Sequence, residues 1–146
     1  MTYASANSRY LDGRVLTASQ PELQLILLDG ALRFGRQAEQ LWNGVDQRLD
    51  CDHLLTRLTD ILEALVQGLA IAESDVSKRL AEEYAFAFRQ VALAQLNHDA
   101  APLALALRLL DFERETWRLA CDQLKSIPAP AMPMPAFASG SLSLQG

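Results

Sequence analysis

Two histidines, His53 and His98, come first among the residues that could do chemistry, because imidazole titrates near neutral pH and binds metals. Neither has a Glu-x-x-His partner for a di-iron bundle or a second histidine at helical spacing for zinc. His98 invites comparison with helical phosphotransfer domains, in which a solvated histidine accepts a phosphoryl group. Its neighbours, however, include the acid Asp99 and no lysine that could steady a phosphate. We therefore interpret both histidines as surface or helix-cap residues.

The two cysteines, Cys51 and Cys121, lie about 70 positions apart, and neither has CxxC or Cys/His spacing. A metal or redox site therefore has little support. Free cysteine behaves as a small hydrophobe, so we expect both thiols to serve packing.

The paired acids are Glu82 with Glu83 and Glu113 with Glu115. General acid–base catalysis needs a cleft or a second acid at a defined separation, and the sequence supports neither. We expect these carboxylates on solvated helix surface. The sequence also has no Gly-rich phosphate loop, so we expect neither an enzyme nor a bound cofactor or metal.

The composition narrows the class of protein that these residues belong to. The chain has 146 residues, of which 50% are hydrophobic and 21% charged, which is enough for one domain with an ordinary core. A net charge of −5 argues against nucleic acid or an anionic membrane as the partner. No apolar run approaches the roughly 20 residues of a membrane helix, and residues 1–10 lack the apolar core of a signal peptide. We expect a cytoplasmic protein.

The elements that must position these residues are helical, because the apolar residues repeat with helical period and nowhere alternate as in a half-buried strand. Start and stop signals predict helices near residues 19–44, 52–72, 75–97 and 100–125. Short connections favour antiparallel neighbours, so the predicted fold is an all-α, antiparallel four-helix bundle. The residues that could cap these helices are Ser19, Asp50 or Asp52, Ser74 or Asp75, and Asp99.

Two segments flank the predicted bundle of residues 19–126. Residues 127–146 contain four prolines and no charged side chain, so we expect a disordered tail. Residues 1–18 carry several apolar side chains but also Gly13 and no cap signal. We expect them to form a short docked segment.

A helical wheel shows how many faces each helix must cover. Helix two has a single apolar stripe, formed by Leu54, Leu58, Ile61, Leu65 and Leu69. The other helices each have a stripe that we assign to the central seam: Leu23, Leu27, Phe34, Ala38 and Leu41; Val76, Leu80, Tyr84, Phe88 and Val91; and Leu103, Leu107, Leu110, Trp117 and Cys121. Each also has a second stripe: Leu25, Leu28 and Leu32; Phe86, Leu93 and Leu96; and Leu105, Leu109, Phe112 and Leu119.

A four-helix bundle has one central seam, so the second stripes need another cover. One explanation is that the N-terminal segment, the tail or a flattened bundle packs against them. The other is a groove for an amphipathic helix of a partner, since large exposed apolar patches are uncommon on soluble monomers unless they are used. The two explanations are compatible if the N-terminal segment covers the groove until a partner displaces it.

Residues 17–34, TASQPELQLILLDGALRF, resemble the signature of the flagellar secretion chaperones of the FliS family, which are specific for flagellin. Tyr10 and Val15 stand where that family places a Tyr and a Val. Later residues follow the family's order and approximate spacing: Leu80, Tyr84, Asn97 with Asp99, Leu103, Leu107, Leu110 and Arg114-Glu115-x-Trp117. The chain departs from the family at Pro21, at Leu28 and at the Ala72-Glu73-Ser74-Asp75 turn.

The resemblance implies a bundle that binds the disordered C-terminal segment of flagellin, prevents premature polymerisation and delivers it to the flagellar export gate. Asp29-Gly30-Ala31 is then structural, with Gly30 permitting close helix approach. The residues that we expect at the partner are Tyr10, Leu11, Val15, Leu16, Leu28, Phe86, Leu93, Leu96, Leu105, Leu109, Phe112 and Leu119. The alternative is a homo-oligomeric helical scaffold or adaptor whose second stripes self-associate, and a weak homodimer is compatible with either function.

Overall fold

The structure is a computed structural model that describes residues 20–69 and 74–126. These residues form four helices and no strand: α1 (Gln20–Leu41), α2 (Arg48–Leu69), α3 (Asp75–Asn97) and α4 (Ala100–Ser126). Helix α1 packs against α2 and α4, and α3 packs against the same two helices, so the four form a square, antiparallel bundle. The predicted fold class is confirmed. The predicted docked segment and tail lie outside the described residues.

The helix ends follow local hydrogen bonding. The Ser74 hydroxyl accepts from the Ser77 backbone N–H at 3.1 Å, and the Asp99 carboxylate accepts from the Ala101 N–H at 3.0 Å, which confirms both as caps of α3 and α4. The predicted start of α2 was four residues late. The Cys51 N–H already donates to the Gln47 carbonyl at 2.9 Å. Asp50 therefore lies within the first turn and Asp52 just after it, and neither has the cap position that we expected.

The central seam of α1 differs from the predicted one. Leu28 and Leu32, which the sequence places in the second stripe, are buried in the core. Leu27, Phe34 and Leu41 of the predicted seam are only partly buried. The buried face consists of Gln24, Leu28, Ala31, Leu32, Gly35 and Ala38. Because a polar residue and a glycine belong to this face, the apolar pattern alone pointed to the wrong side.

The other seams are closer to expectation. In α2, Leu58, Leu65 and Leu69 are buried as predicted, while Leu54 and Ile61 are partly buried at the seam's edge. In α4 the four aliphatic and thiol positions of the predicted stripe are buried and Trp117 is partly buried. In α3, Tyr84 and Val91 are core, but Val76 and Phe88 are exposed, because the small residues Ser77, Ala87 and Ala94 complete the buried face.

Both cysteines are free and buried, which confirms their predicted packing role. Burial raises the pKa of the Cys51 and Cys121 thiols, so neither is poised as a thiolate. The Cys51 Sγ lies 3.6 Å from the Ala38 carbonyl oxygen and thereby links α2 to α1.

Two glycines mark where helices approach α1. A Cβ on Gly35 would overlap the side chain of Leu107, so α4 approaches α1 closely at this point. A Cβ on Gly30 would lie 3.4 Å from Ile61 Cδ1, close to ordinary contact with α2. Gly30 thus lies at contact distance from α2, and the tighter steric restraint is at Gly35.

Candidate partner-binding groove

A chain of polar groups crosses the core and joins three helices. The Trp117 indole N–H of α4 donates to the Tyr84 hydroxyl of α3 at 3.1 Å, and that hydroxyl donates to Gln24 Oε1 of α1 at 3.4 Å. Gln24 and Tyr84 are almost completely buried, and burial raises the pKa of the tyrosine. Since polar groups buried away from water need partners, this chain fixes the position of α3 against α1 and α4.

The outward faces of α3 and α4 that flank this core have matching patterns. On α3 the residues are Arg79, Glu82, Glu83 and Phe86, and on α4 they are Leu105, Arg108, Leu109 and Phe112. Both sets have the i, i+3, i+4, i+7 spacing of a single helix face. Antiparallel packing therefore sets a mainly charged face of α3 beside a mainly apolar face of α4.

The two faces enclose an open groove of about 540 Å³. Its lining consists of Arg79, Glu82, Glu83, Phe86, Leu105, Arg108 and Leu109. Phe86, Leu105 and Leu109 are the apolar lining residues, which we call its floor, and the charged lining residues, which carry both signs, are its border. Three residues that the sequence placed in a second stripe are thus brought together: Phe86, Leu105 and Leu109.

Other predicted residues extend the apolar surface along both helices. Phe112 is 66% exposed, Leu119 is 49% exposed and Leu93 is 43% exposed. Leu105, Phe112 and Leu119 are spaced by seven residues and therefore lie one above another along α4. Leu93 has the same spacing from Phe86 on α3. We define the α3–α4 groove, used below, as the seven lining residues together with Phe112.

The remaining predicted residues lie elsewhere. Leu28 has no exposed surface and belongs to the core, so its assignment to a partner surface is corrected. Leu96 is 78% exposed in the last turn of α3. Tyr10, Leu11, Val15 and Leu16 lie outside the described residues, and their proposed role stays a prediction.

Glu113 corrects the expectation that the acid pairs are all solvated. It is 2% exposed, and burial, together with hydrogen bonding to Glu83, raises its pKa from 4.5 to about 8. Arg79 opposes that shift only weakly. Burial and Glu83 therefore favour the protonated form of Glu113, which faces Glu83 of α3 beside the groove. Glu82 and Glu115 are exposed as predicted.

A charged network joins α4 to α1 on another side of the bundle. Arg114 Nη1 lies 3.3 Å from the Asp29 carboxylate and its Nε lies 3.6 Å from Asp111, which is also 3.4 Å from Arg36 Nη2. These pairs are partly exposed and so contribute little stability each. They do align α1 with α4, which supports a structural role for Asp29.

Both histidines have the surface or cap positions that the sequence predicts. His98 ends α3 with a positive φ of 48° and hydrogen-bonds through its backbone N–H to the Ala94 carbonyl. Its ring stacks on Trp42, with centroids 4.8 Å apart and an interplanar angle of 5°. His53 is exposed on α2. Nearby, Val45 and Leu49 are also exposed, which the sequence reasoning missed because no stripe includes them.

The charged border of the groove was also missed, although the signal was present in the sequence. Arg79, Glu82 and Glu83 precede Phe86 by seven, four and three positions, and Arg108 follows Leu105 by three. Charges at helical spacing indicate solvated surface when each helix is considered alone. Only the pairing of α3 with α4 converts them into the rim of one groove.

Fold and groove together define the class: an antiparallel four-helix bundle with an open apolar groove between two neighbouring helices. The chain belongs to the FliS family, since the family model described as flagellar protein FliS matches residues 2–124. The predicted resemblance is confirmed, and the family is one of flagellar export chaperones rather than enzymes. A comparison with curated proteins finds no match. None of the described helices is long and apolar enough to cross a lipid bilayer.

Proposed function

We propose that this protein is a cytoplasmic export chaperone that binds the disordered C-terminal region of flagellin, prevents its premature polymerisation and assists its secretion. The observation that carries the proposal is the α3–α4 groove, whose floor of Phe86, Leu105 and Leu109 is open to a partner. Membership of the FliS family supplies the flagellar role.

The shape and chemistry of the groove suit an amphipathic helix. Such a helix inserts apolar side chains at i, i+3, i+4 and i+7 into an apolar floor, and the exposed Phe112 extends that floor along α4. The borders offer Arg79 and Arg108 to acidic side chains, and Glu82 and Glu83 to basic ones. A disordered client loses conformational freedom when it folds on binding, and burial of its apolar face offsets that cost.

The mechanism that we propose is binding and release without a chemical reaction. The floor of the groove is aliphatic and aromatic, and its charged residues are borders of both signs rather than a reactive cluster. Release would follow when the export gate competes for the client or for the chaperone. The exposed faces are also compatible with a weak homodimer.

The test is titration of the full chain with a peptide from the C-terminal region of flagellin, followed by isothermal calorimetry. We expect saturable binding with a negative heat-capacity change, the sign of apolar burial. The N-terminal region of the same flagellin is the matched control and should bind much more weakly. Equal binding of both peptides, or of neither, would contradict the proposal.

A polymerisation assay separates the chaperone from the alternative of a self-associating scaffold. Equimolar protein should suppress filament growth from flagellin monomers. Sedimentation should show one copy of each chain in the complex. A stable homo-oligomer that leaves filament growth unchanged would favour the scaffold, because the second stripes would then already be occupied.

A further inference from the structure

The tail that follows the bundle begins at one end of an apolar track. Helix α4 ends at Ser126, and residues 127–146 follow it directly, beyond the family match that ends at residue 124. Leu119, Phe112 and Leu105 are exposed on one side of α4 and lead back from that end to the groove. The three apolar side chains recur every seven residues, with the polar Glu115 and Thr116 between Phe112 and Leu119. A segment leaving α4 can therefore return over a row of exposed apolar side chains.

The composition of the tail suits this surface. It has no charged side chain, so neither sign of charge on the groove's border repels it. Its large apolar residues are Ile127, Met132, Met134, Phe137, Leu142 and Leu144. Prolines at 128, 130, 133 and 135 favour an extended polyproline conformation, which docks on aromatic-lined grooves at a low entropic cost.

The length of the tail determines which residue reaches the groove. Ser126 is 21 positions from Leu105 along α4, which corresponds to about 32 Å at 1.5 Å per residue. Phe137 is 11 positions beyond Ser126, which corresponds to about 34 Å at 3.1 Å per residue of polyproline helix. The sole aromatic residue of the tail thus reaches the level of the groove floor.

We propose that residues 127–137 fold back along α4 and place Phe137 in the α3–α4 groove, so that the chain occupies its own groove until a client displaces it. Docking is supported by the row of exposed apolar side chains on α4 and by the length of the tail. Only the displacement by a client rests on the proposed function.

Weak docking is sufficient for this role. A tail that is docked about five times as often as it is free weakens apparent client affinity about sixfold, because only the free groove binds the client. The same equilibrium stabilises the fold by about 1 kcal/mol. The effect of the tail should therefore be clearer in client affinity than in melting temperature.

A spin label near Phe137 tests the docking without any client. The Ser139→Cys variant of the full chain can be labelled selectively, because Cys51 and Cys121 are 0% and 5% exposed. We expect paramagnetic broadening of the backbone amide signals of Phe86, Leu105 and Leu109, and none at Val45 on the α1–α2 connection. Adding Phe137→Ser to the labelled variant should restore the sharp signals.

Two results would overturn the proposal at this stage. One is broadening no greater in the groove than at Val45. The other is equal broadening in a mixture of spin-labelled chains with isotope-enriched chains that carry no label, which would mean that the tail docks on a second copy.

Titration with the flagellin C-terminal peptide tests the displacement. The Phe137→Ser variant should bind about sixfold more tightly than the native chain, and the matched Leu142→Ser variant, beyond the docked segment, should bind like the native chain. Equal affinity for all three chains would overturn the displacement. If no chain binds the peptide while the groove signals broaden, the docking is supported and it is the proposed function that fails.

Discussion

The protonation state of a single carboxyl group, Glu113, affects the contact between α3 and α4 beside the groove. The groups that face it are Glu83, Arg79 and Tyr84 on α3, and burial favours its protonated form. Protonated Glu113 shares a hydrogen bond with Glu83, whereas two ionised carboxylates would repel each other. The residue therefore stabilises the contact of α3 with α4 only while it keeps its proton.

This predicts the pH dependence of stability. The folded pKa of about 8 exceeds the ordinary value of 4.5, so the folded state holds the proton more tightly than the unfolded state does. The stabilisation is complete below about pH 4.5 and is lost as pH rises through about 8. Urea denaturation from pH 5 to 9 should show a decline that is smaller in Glu113→Gln, which cannot ionise. Parallel declines in both proteins would contradict this assignment.

The Tyr84 hydroxyl is the second residue with a specific energetic role. Tyr84→Phe keeps the ring but removes the hydrogen bonds to Trp117 Nε1 and Gln24 Oε1. Leaving buried polar groups unpaired costs about 1–3 kcal/mol, so the free energy of unfolding should fall by about that amount. A double-mutant cycle with Trp117→Phe should show coupling of more than about 0.5 kcal/mol. Additive effects would mean that the polar chain contributes nothing as a unit.

The apolar pattern of the sequence predicts the buried faces of some helices better than those of others. The seams of α2 and α4 are rich in leucine. The sequence predicted most of the buried residues of α4 and half of those of α2, where it missed Leu55 and Leu62. The seam of α1 includes Gln24 and Gly35, and the seam of α3 includes Ala87 and Ala94. Small and polar residues carry little hydrophobic signal, so the more apolar but partly exposed side appeared to be the core. Hydrogen-bond partners in other helices, which decide the burial of Gln24, are not visible in one sequence.

Deletion of residues 129–146 is a prediction about the elements. A weakly docked tail adds little to a complete bundle, so the free energy of unfolding should change by no more than about 1 kcal/mol. Thermal and urea denaturation of the full and shortened chains measure the difference. A loss of several kcal/mol would show that the tail is a fixed part of the core.

For the molecule as a whole, the sequence predicted the fold class, the family and the floor of the groove. It predicted a groove for a partner helix as one explanation of the second stripes, but it could not place that groove between α3 and α4, because two faces become one site only when these helices pack side by side. Charged residues on those faces resemble ordinary solvated surface until that pairing is known. For the same reason the sequence could not predict that Glu113 is buried and faces Glu83 of the neighbouring helix.

The central claim is that a client binds the α3–α4 groove, and Phe112→Asp tests it most directly. Phe112 and Leu49 are each 66% exposed, so Leu49→Asp on α2 is a control matched in charge and exposure but outside the groove. Leu109 also lines the groove, but it packs against the core, so a charge there would confuse binding with unfolding. Leu65→Ala, at 0% exposure, shows the cost of a core change, about 2–5 kcal/mol.

The measurement is calorimetric titration of the flagellin C-terminal peptide into these variants, paired with their melting curves. We predict that both aspartate variants stay as stable as the native chain within about 0.5 kcal/mol. Phe112→Asp should lose at least tenfold in affinity, about 1.4 kcal/mol, and Leu49→Asp should bind like the native chain. If Phe112→Asp remains folded and binds the peptide with native affinity, the client binds elsewhere and the account of the groove is wrong.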